Sequence, residues 1–478
     1  PSSTLNAEKA EKEKARLENE RANMSGADIQ ALKDKAEALE TRQAQEDDPD
    51  ILPKVGLEDI RPELTYVAPT AERSDHIETT EYVTGTNGII YQQAMLNLPP
   101  MTREQMTWLP FYTQAWTEVG AGGNSYLTQQ QRQTEVLGSL TSYASVKGDV
   151  EDCNRLSGYL VMTGKALGNR AEPFSDMLRE TWKSADFSEE GRLKDLLNQA
   201  RARKEQGITG SGHALAMSAA AAPINRTADL MNMLGGLPQA KRLKERTERL
   251  SEDGAGFVSE ALQGINSLIS GGPDSLLLVH DEQNAAQHIA AACKGWDNAN
   301  HYRKDGVDWD LSAAASYWMV DSQVNFCAWA IPTVTLDHPD AAALAVLGGV
   351  LRNGYLHTAI REKGGAYGAG ASQDSSLGCF KFFTYRDPRT EGSFDDFAKS
   401  LTWVSGRTNG DDLIEQSVLG IIGSLDRPGS PAGEAKQAFH MDKSGRTQAV
   451  RQLFRDRLLK VTWTDILQVT EKYLVGQD

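Results

Sequence analysis

An order of elements laid down between residues 88 and 205 is repeated about 220 residues later. In the first copy, Gly88–Leu98 (GIIYQQAMLNL) has strand composition with apolar residues on both faces, and Pro99-Pro100 stop it. Thr102, with Gln105 three residues on, is a capping box that opens a helix. The Gly-rich GAGGNSY follows. Strands come next near Ser139–Val146 and Gly158–Leu167, then a helix carrying Phe174 and Trp182 and a charged helix across Glu189–Glu205. In the second copy, Ser322–Val334 (SQVNFCAWAIPTV) is strand-like and Pro339–Leu351 is a helix of Ala, Val and Leu. A Gly-rich turn (GGAYG) precedes strands Ala366–Asp374 and Cys379–Arg386, which flank the turn Ser375–Gly378. A helix with Phe394 and Trp403 and another across Asp411–Leu425 complete the copy. A period this long implies tandem duplication of a domain, because solenoid repeats run ~20–50 residues. Strands joined by short turns with helices between them give α+β layers. One sheet face lies under helices and the other is free to face a partner or a cavity.

The length of 478 residues allows about two to four domains. Residues 1–50 differ from the rest, with 8 basic and 13 acidic residues and no aromatic. Two helical runs, about 5–23 and 28–46, are broken at Ser25-Gly26; Asp28 is the expected N-cap of the second and Asp47-Asp48-Pro49-Asp50 its end. The apolar stripe (Leu5, Leu17, Met24, Ile29, Leu32, Leu39) is too thin for such a hairpin to stand alone, so it is expected to pack on something else. Leu64–Ala68 (LTYVA) reads as a short strand, and Ile208–Leu250 closes the first copy. Gly271-Gly272-Pro273 marks a boundary before the buried-type strand Ser275–His280. The expected organisation is a charged helical hairpin linker at 1–50, a first α+β domain at 51–270 and a second at 271–478. The fold class is α+β: two tandem homologous α/β sandwich domains, each a mostly antiparallel sheet covered by helices on one face.

With 50 basic against 66 acidic residues, the net charge is −16. A surface that negative repels a phosphate backbone, and no Lys/Arg-rich run interleaved with aromatics is present, so nucleic-acid binding is not expected. No stretch approaches the ~20 uninterrupted apolar residues of a membrane-spanning helix. The opening PSSTLNAEKAEKEKARLENE lacks the apolar core of a secretory signal. Pro1 stands where an initiator Met would, as expected of an excised or processed piece. Cys153, Cys293, Cys327 and Cys379 lie far apart without a CxxC pair, which suits a reducing compartment. Cys327 and Cys379, each in an expected strand, read as small buried hydrophobes.

Chemistry is scarce. Among His76, His213, His280, His288, His301, His338, His357 and His440 no two are four apart. Neither HExxH nor its inverse HxxEH can therefore be written, and both need that spacing to aim two imidazoles at one zinc. His280 and His288, with Asp281 and Glu282 nearby, are a poor substitute: His280 ends a strand and His288 would sit on the next helix. No metal site is expected in this chain. No GxSxG surrounds any Ser, and there is no Walker loop. GGAYGAG at 364–370 follows a helix and enters a strand, the wrong order to present helix N-terminal amides to phosphate.

The segment Tyr355–Pro388 (YLHTAIREKGGAYGAGASQDSSLGCFKFFTYRDP) carries the one specific signal. A helix ends in Ile360-Arg361-Glu362-Lys363-Gly364-Gly365-Ala366-Tyr367-Gly368, and a later strand carries Tyr385-Arg386-Asp387-Pro388. This segment resembles the C-terminal half of the pitrilysin/insulinase superfamily of zinc endopeptidases, in particular its presequence protease and falcilysin branch. The resemblance extends more loosely over the whole chain, with 1–50 like the family's inter-half linker and the two copies like its third and fourth domains. It implies an enzyme built as a clam of two halves around a closed chamber. The first half holds HxxEH, a downstream Glu and the zinc, so no cofactor is implied for this chain. The second half contributes an Arg and a Tyr that reach the bound peptide, and the matching residues are Arg361 and Tyr367. Gly364 and Gly365 let the backbone turn tightly enough to bring both to one side. A Tyr hydroxyl donates where a tetrahedral oxyanion develops, and a guanidinium offers several donors to a substrate carbonyl. The implied partners are the HxxEH-bearing half, on the same polypeptide or separate, and peptide substrates.

Blander readings exist for each residue. An Arg near a helix C-terminus commonly offsets the macrodipole, and a Tyr entering a strand commonly packs. Arg386-Asp387 reads as a local ion pair and turn, and Trp182 and Trp403 as core. The competing function is a non-catalytic scaffold of the same fold with a protein-interaction role, which has no chemical need for both Arg361 and Tyr367. A stand-alone peptide-binding protein is a third reading.

Overall fold

The computed structural model describes residues 5–44, 51, 53–74, 77–269, 271–298, 301–303, 307–311 and 314–476. The chain divides into two compact units, Pro1–Gly56 and Leu57–Asp478. In the first, helices Leu5–Asn23 and Gly26–Ala44 match the expected pair. Ser25, rather than Asp28, caps the second helix. Its hydroxyl accepts the Asp28 amide at 3.2 Å, while the Asp28 carboxylate accepts the Ser25 amide at 2.9 Å. Asp28 thus closes a reciprocal capping box one turn in, where its charge also suits the helix dipole. Side chains from 11 to 42 are exposed, apart from the half-buried Met24. The expected stop at Asp47–Asp50 lies outside the described residues.

Two larger sheets organise the second unit, beside a short antiparallel pairing of Gly120–Ala121 with Ala185–Asp186. Their strands are β1 (Ala71–Ser74), β2 (Glu78–Val83), β3 (Ile89–Asn97), β4 (Ser139–Gly148), β5 (Leu156–Leu167), β6 (Ser275–His280), β7 (Ala328–Pro332), β8 (Gly368–Asp374) and β9 (Cys379–Tyr385). The first sheet has the order β1-β2-β6-β3-β5-β4, antiparallel except for the β2/β6 pair. The second has the order β8-β9-β7 and is wholly antiparallel. The duplication is visible in this pairing: β3 pairs with β5 and β5 with β4, just as β7 pairs with β9 and β9 with β8.

Each sheet carries a helical layer over its core. In the first, Thr102 and Gln105 form the capping box that opens Arg103–Trp116. Trp116 of that helix meets Trp182 of Ala171–Ser184 at 4.9 Å between ring centroids. In the second, Phe382 of β9 packs on Phe397 of helix Glu391–Ser405 at 5.2 Å. Trp403, expected in the core, is half-buried beside Tyr355 because its ring occupies the space that Gly354 leaves. Cys379 is fully buried and burial pushes its thiol up to about 12; Cys327 is buried one residue before β7.

The opposite sheet faces are not left open. Helix Gly212–Ala221, from the first copy, lies on the second sheet against β7 and β9. Helix Pro431–Lys443, from the second copy, lies on the first sheet, where Ala432, Ala435, Ala438 and Phe439 pack against Tyr82, Met95 and Tyr159. These helices start about 220 residues apart, so they occupy equivalent places in the repeat. The two copies have exchanged a helix. Small alanine side chains permit the close helix-to-sheet approach.

Two segments are placed differently from expectation. Ser275–His280 sits between β2 and β3 in the middle of the first sheet, so the boundary expected at 271 falls inside that layer. All six of its residues are buried, which a central strand achieves and an isolated opening strand does not. Leu64–Ala68 forms no ladder; instead the Leu64 amide donates to Gln452 Oε1 at 2.8 Å and the Tyr66 hydroxyl to Asp442 at 2.6 Å. The Leu64 amide thus meets a helical side chain in place of a strand partner. Among the described residues no helix is long and apolar enough to cross a membrane.

Candidate functional site

Helix Ala341–Leu351 is almost wholly buried over the second sheet. Gly348 allows this approach, since a Cβ there would lie 2.8 Å from the Ala371 carbonyl oxygen. The helix continues through Arg352–Lys363 in wider π-type turns, burying Leu356 and Ile360 while Arg361 stays exposed. Gly364 and Gly365 end it. The Gly365 amide donates to the Arg361 carbonyl and the Ala366 amide to the Ile360 carbonyl, both at 3.1 Å. Gly365 takes φ +80°, the left-handed conformation that glycine adopts without a Cβ clash.

The chain then enters β8 at Tyr367, whose amide donates to the Tyr385 carbonyl at 3.1 Å. The glycine turn brings the motif's two side chains together. The guanidinium carbon of Arg361 lies 5.7 Å from the centre of the Tyr367 ring. Tyr367 is 65% exposed.

The turn after β9 braces this arrangement. Asp387 is fully buried and accepts the Ser393 hydroxyl at 2.5 Å and the Arg389 amide at 2.9 Å. The ion pair expected between Arg386 and Asp387 is not formed, because Asp387 turns inward to the start of the next helix and to Arg389, 3.9 Å away. Arg386 points the other way, with φ +51° and its guanidinium 5.4 Å from the Tyr385 ring. The Arg389 guanidinium, held by Asp396 at 3.0 Å, fills the space beside Gly364; a Cβ there would lie 2.1 Å from it.

Three aromatic side chains continue inward from Tyr367. Tyr385 meets Tyr367 edge-on at 5.7 Å, and Phe326 and His213 surround Tyr385 at 5.8 and 4.9 Å. Tyr385 was legible as a motif residue; His213 comes from the exchanged helix, and no local pattern links it to the site.

His280 and His288 stand where expected, at a strand end and on the next helix, with buried rings 5.4 Å apart. Glu81 lies 3.2 Å from His280 Nε2 and is also paired with Arg73 at 2.6 Å. Among the described residues no group of three or more His, Cys, Asp or Glu is placed to hold a metal ion.

Comparison with known proteins agrees with this architecture. Residues 1–245 match the family described as peptidase M16 (subgroup C) associated, and residues 319–475 match the PreP C-terminal domain. A mitochondrial presequence protease of Danio rerio is 26% identical over 98% of this chain, and presequence protease 1 (chloroplastic/mitochondrial) of Arabidopsis thaliana 24% over 98%. The match covers 48% and 44% of those relatives, so the chain spans about half their length. Among solved structures, a conserved protein from Enterococcus faecalis V583 aligns with TM-score 0.59 at 14% identity, covering 83% of this chain and 94% of that one. A peptidase M16 inactive domain from Pseudomonas fluorescens aligns with TM-score 0.52 at 14% identity, covering 84% and 94%. With over half of its residues matched by one family model, the chain belongs to the peptidase M16 (subgroup C) associated family.

Proposed function

We propose that this chain is the half of a zinc metalloendopeptidase that lacks the zinc motif, inactive without an HxxEH-bearing half, and that it walls a chamber in which peptides are cleaved. The juxtaposition of Arg361 and Tyr367 on one exposed turn carries this reading. The half-length match to presequence proteases supports it. In this reading the Arg361 guanidinium donates to a carbonyl of the bound peptide and orients it. The Tyr367 hydroxyl donates to the oxygen on which negative charge develops, an interaction stronger in the transition state than in the ground state. Zinc belongs to the other half and activates water there. The organelle names of the relatives and the free cysteines favour a reducing organelle matrix.

Reconstitution tests the proposal. The isolated chain should turn over no quenched peptide and retain no stoichiometric zinc after dialysis, while the chain joined to an HxxEH-bearing half from a presequence protease should cleave. Chelator-sensitive turnover by the isolated chain would contradict it. Cleavage that is indifferent to both Arg361 and Tyr367 would favour the scaffold reading instead.

A further inference from the structure

Tyr367 is lightly held for a side chain that must aim a hydroxyl. Its ring is mostly exposed, and the neighbouring ring it meets is Tyr385, edge-on at 80°. Tyr385 is therefore one support of the Tyr367 ring, alongside the Arg361 guanidinium. Tyr385 is half-buried at the end of β9, with Phe326 on one side and His213 on another. His213 meets it at 4.9 Å and 74°, and lies 5.6 Å from Phe383, which shares the Tyr385 face of β9. The imidazole Nδ1 is buried without a hydrogen-bond partner, so ring contacts hold His213 in place. Its neighbour Gly212 lets the helix start close to Phe326, whose ring would lie 2.5 Å from a Cβ there. His213 rides on Gly212–Ala221, the helix that the first copy lends to the second sheet.

We propose that His213 is a positioning residue for Tyr367, acting through Tyr385, so that the first copy sets the aim of a side chain borne by the second. Edge-on ring pairs prefer defined geometries, and His213, Tyr385 and Tyr367 form two such pairs in series. The kinetic consequence rests on the reading of Tyr367 as a substrate contact; the geometric one does not.

Two measurements separate these. In the isolated chain labelled with fluorotyrosine, the Tyr367 fluorine resonance is assigned by its loss in Tyr367→Phe. His213→Ala should move that resonance towards the position of a freely exposed tyrosine, and His213→Phe, which restores an aromatic edge, should return it. In the reconstituted enzyme, His213→Ala should lower kcat about three- to tenfold, the scale of a lost ring contact, with KM little changed and His213→Phe rescuing. If His213→Ala does not melt cooperatively, His213→Leu fills the volume without an aromatic edge and carries the same expectations. An unmoved Tyr367 resonance in a folded variant overturns the proposal. So does a full kcat in His213→Ala where Tyr367→Phe is slow. A moved resonance with full kcat in Tyr367→Phe upholds the positioning and removes the substrate-contact reading instead.

Discussion

Nε2 of His440 lies 2.8 Å from Oε1 of Gln93, joining the helix lent by the second copy to β3 of the first sheet. A carbonyl oxygen only accepts, so Nε2 is the donor in this contact. The Tyr143 hydroxyl lies 3.1 Å from the same nitrogen, and the Tyr159 ring stacks on the imidazole at 6.0 Å. Burial, helped by the charges of Lys147 and Lys436, pushes His440 down to about 4. His288, fully buried between His280 and Phe174, is pushed down to about 3 by burial and then by His280.

Acid should therefore loosen the fold. Both values lie below the ordinary 6.5, so the unfolded chain takes up protons that the native chain refuses. Stability is whole above about pH 6.5 and falls as pH drops towards the folded values, by up to about 1.4 kcal/mol per pH unit for each group. Melting at about pH 7.5 and pH 5 should show a smaller acid loss in His288→Leu and His440→Gln than in the wild type, the difference being about 2–4 °C. Equal acid losses in all three would rule out both histidines as the source.

Kinetics of the reconstituted enzyme should separate the motif's two side chains. Tyr367→Phe should cut kcat about 10²–10³-fold with little change in KM, as removal of a single oxyanion donor does. Arg361→Lys should also be damaging, since an ammonium lacks the planar fork of donors, and should raise KM if Arg361 grips the ground-state peptide. Wild-type kcat/KM in both variants would make the pair structural.

The two turn glycines should fail differently. Gly365→Ala places a Cβ at φ +80° in ordinary contact with Pro388 at 3.6 Å, costing about 1–2 kcal/mol for the left-handed conformation alone. Gly364→Ala drives its Cβ to 2.1 Å from the Arg389 guanidinium and 2.5 Å from the Ile360 carbonyl oxygen. The guanidinium can swing away, losing Asp396, but the carbonyl belongs to the backbone that carries Arg361. Gly364→Ala should therefore cost more, about 2–3 kcal/mol, and should lower activity too. Urea unfolding midpoints rank them; a milder Gly364→Ala contradicts the packing at this turn.

The N-terminal helices should be kinetically open in the isolated chain. Leu17, Ile29, Leu32 and Leu39 are all exposed, and local stability follows buried contacts. Amides across 5–44 should exchange far faster than those of β3, β5 and β6, and should slow when the HxxEH-bearing half is added. Strong protection in the isolated chain, unchanged on reconstitution, would show that the missing half is not their support.

Much of the fold is written locally. The repeat is legible because each copy spells its strands by composition and its helices by caps and breakers, and Thr102 with Gln105 forms the box that this spacing specifies. Arg361, Gly364, Gly365 and Tyr367 are legible as one cluster because a single helix end and turn brings them together, which the turn after β9 then braces. Tertiary structure alone decided the rest. Composition marks Ser275–His280 as a strand buried on both faces, but only the competition for partners seats it between β2 and β3. An alanine-rich face fits either sheet, and the folded geometry sends Gly212–Ala221 and Pro431–Lys443 each to the other copy. That exchange puts His213 beside Tyr385. Side-chain periodicity reports which residues must leave water, whereas the choice of what covers them is settled by packing across long separations in the chain.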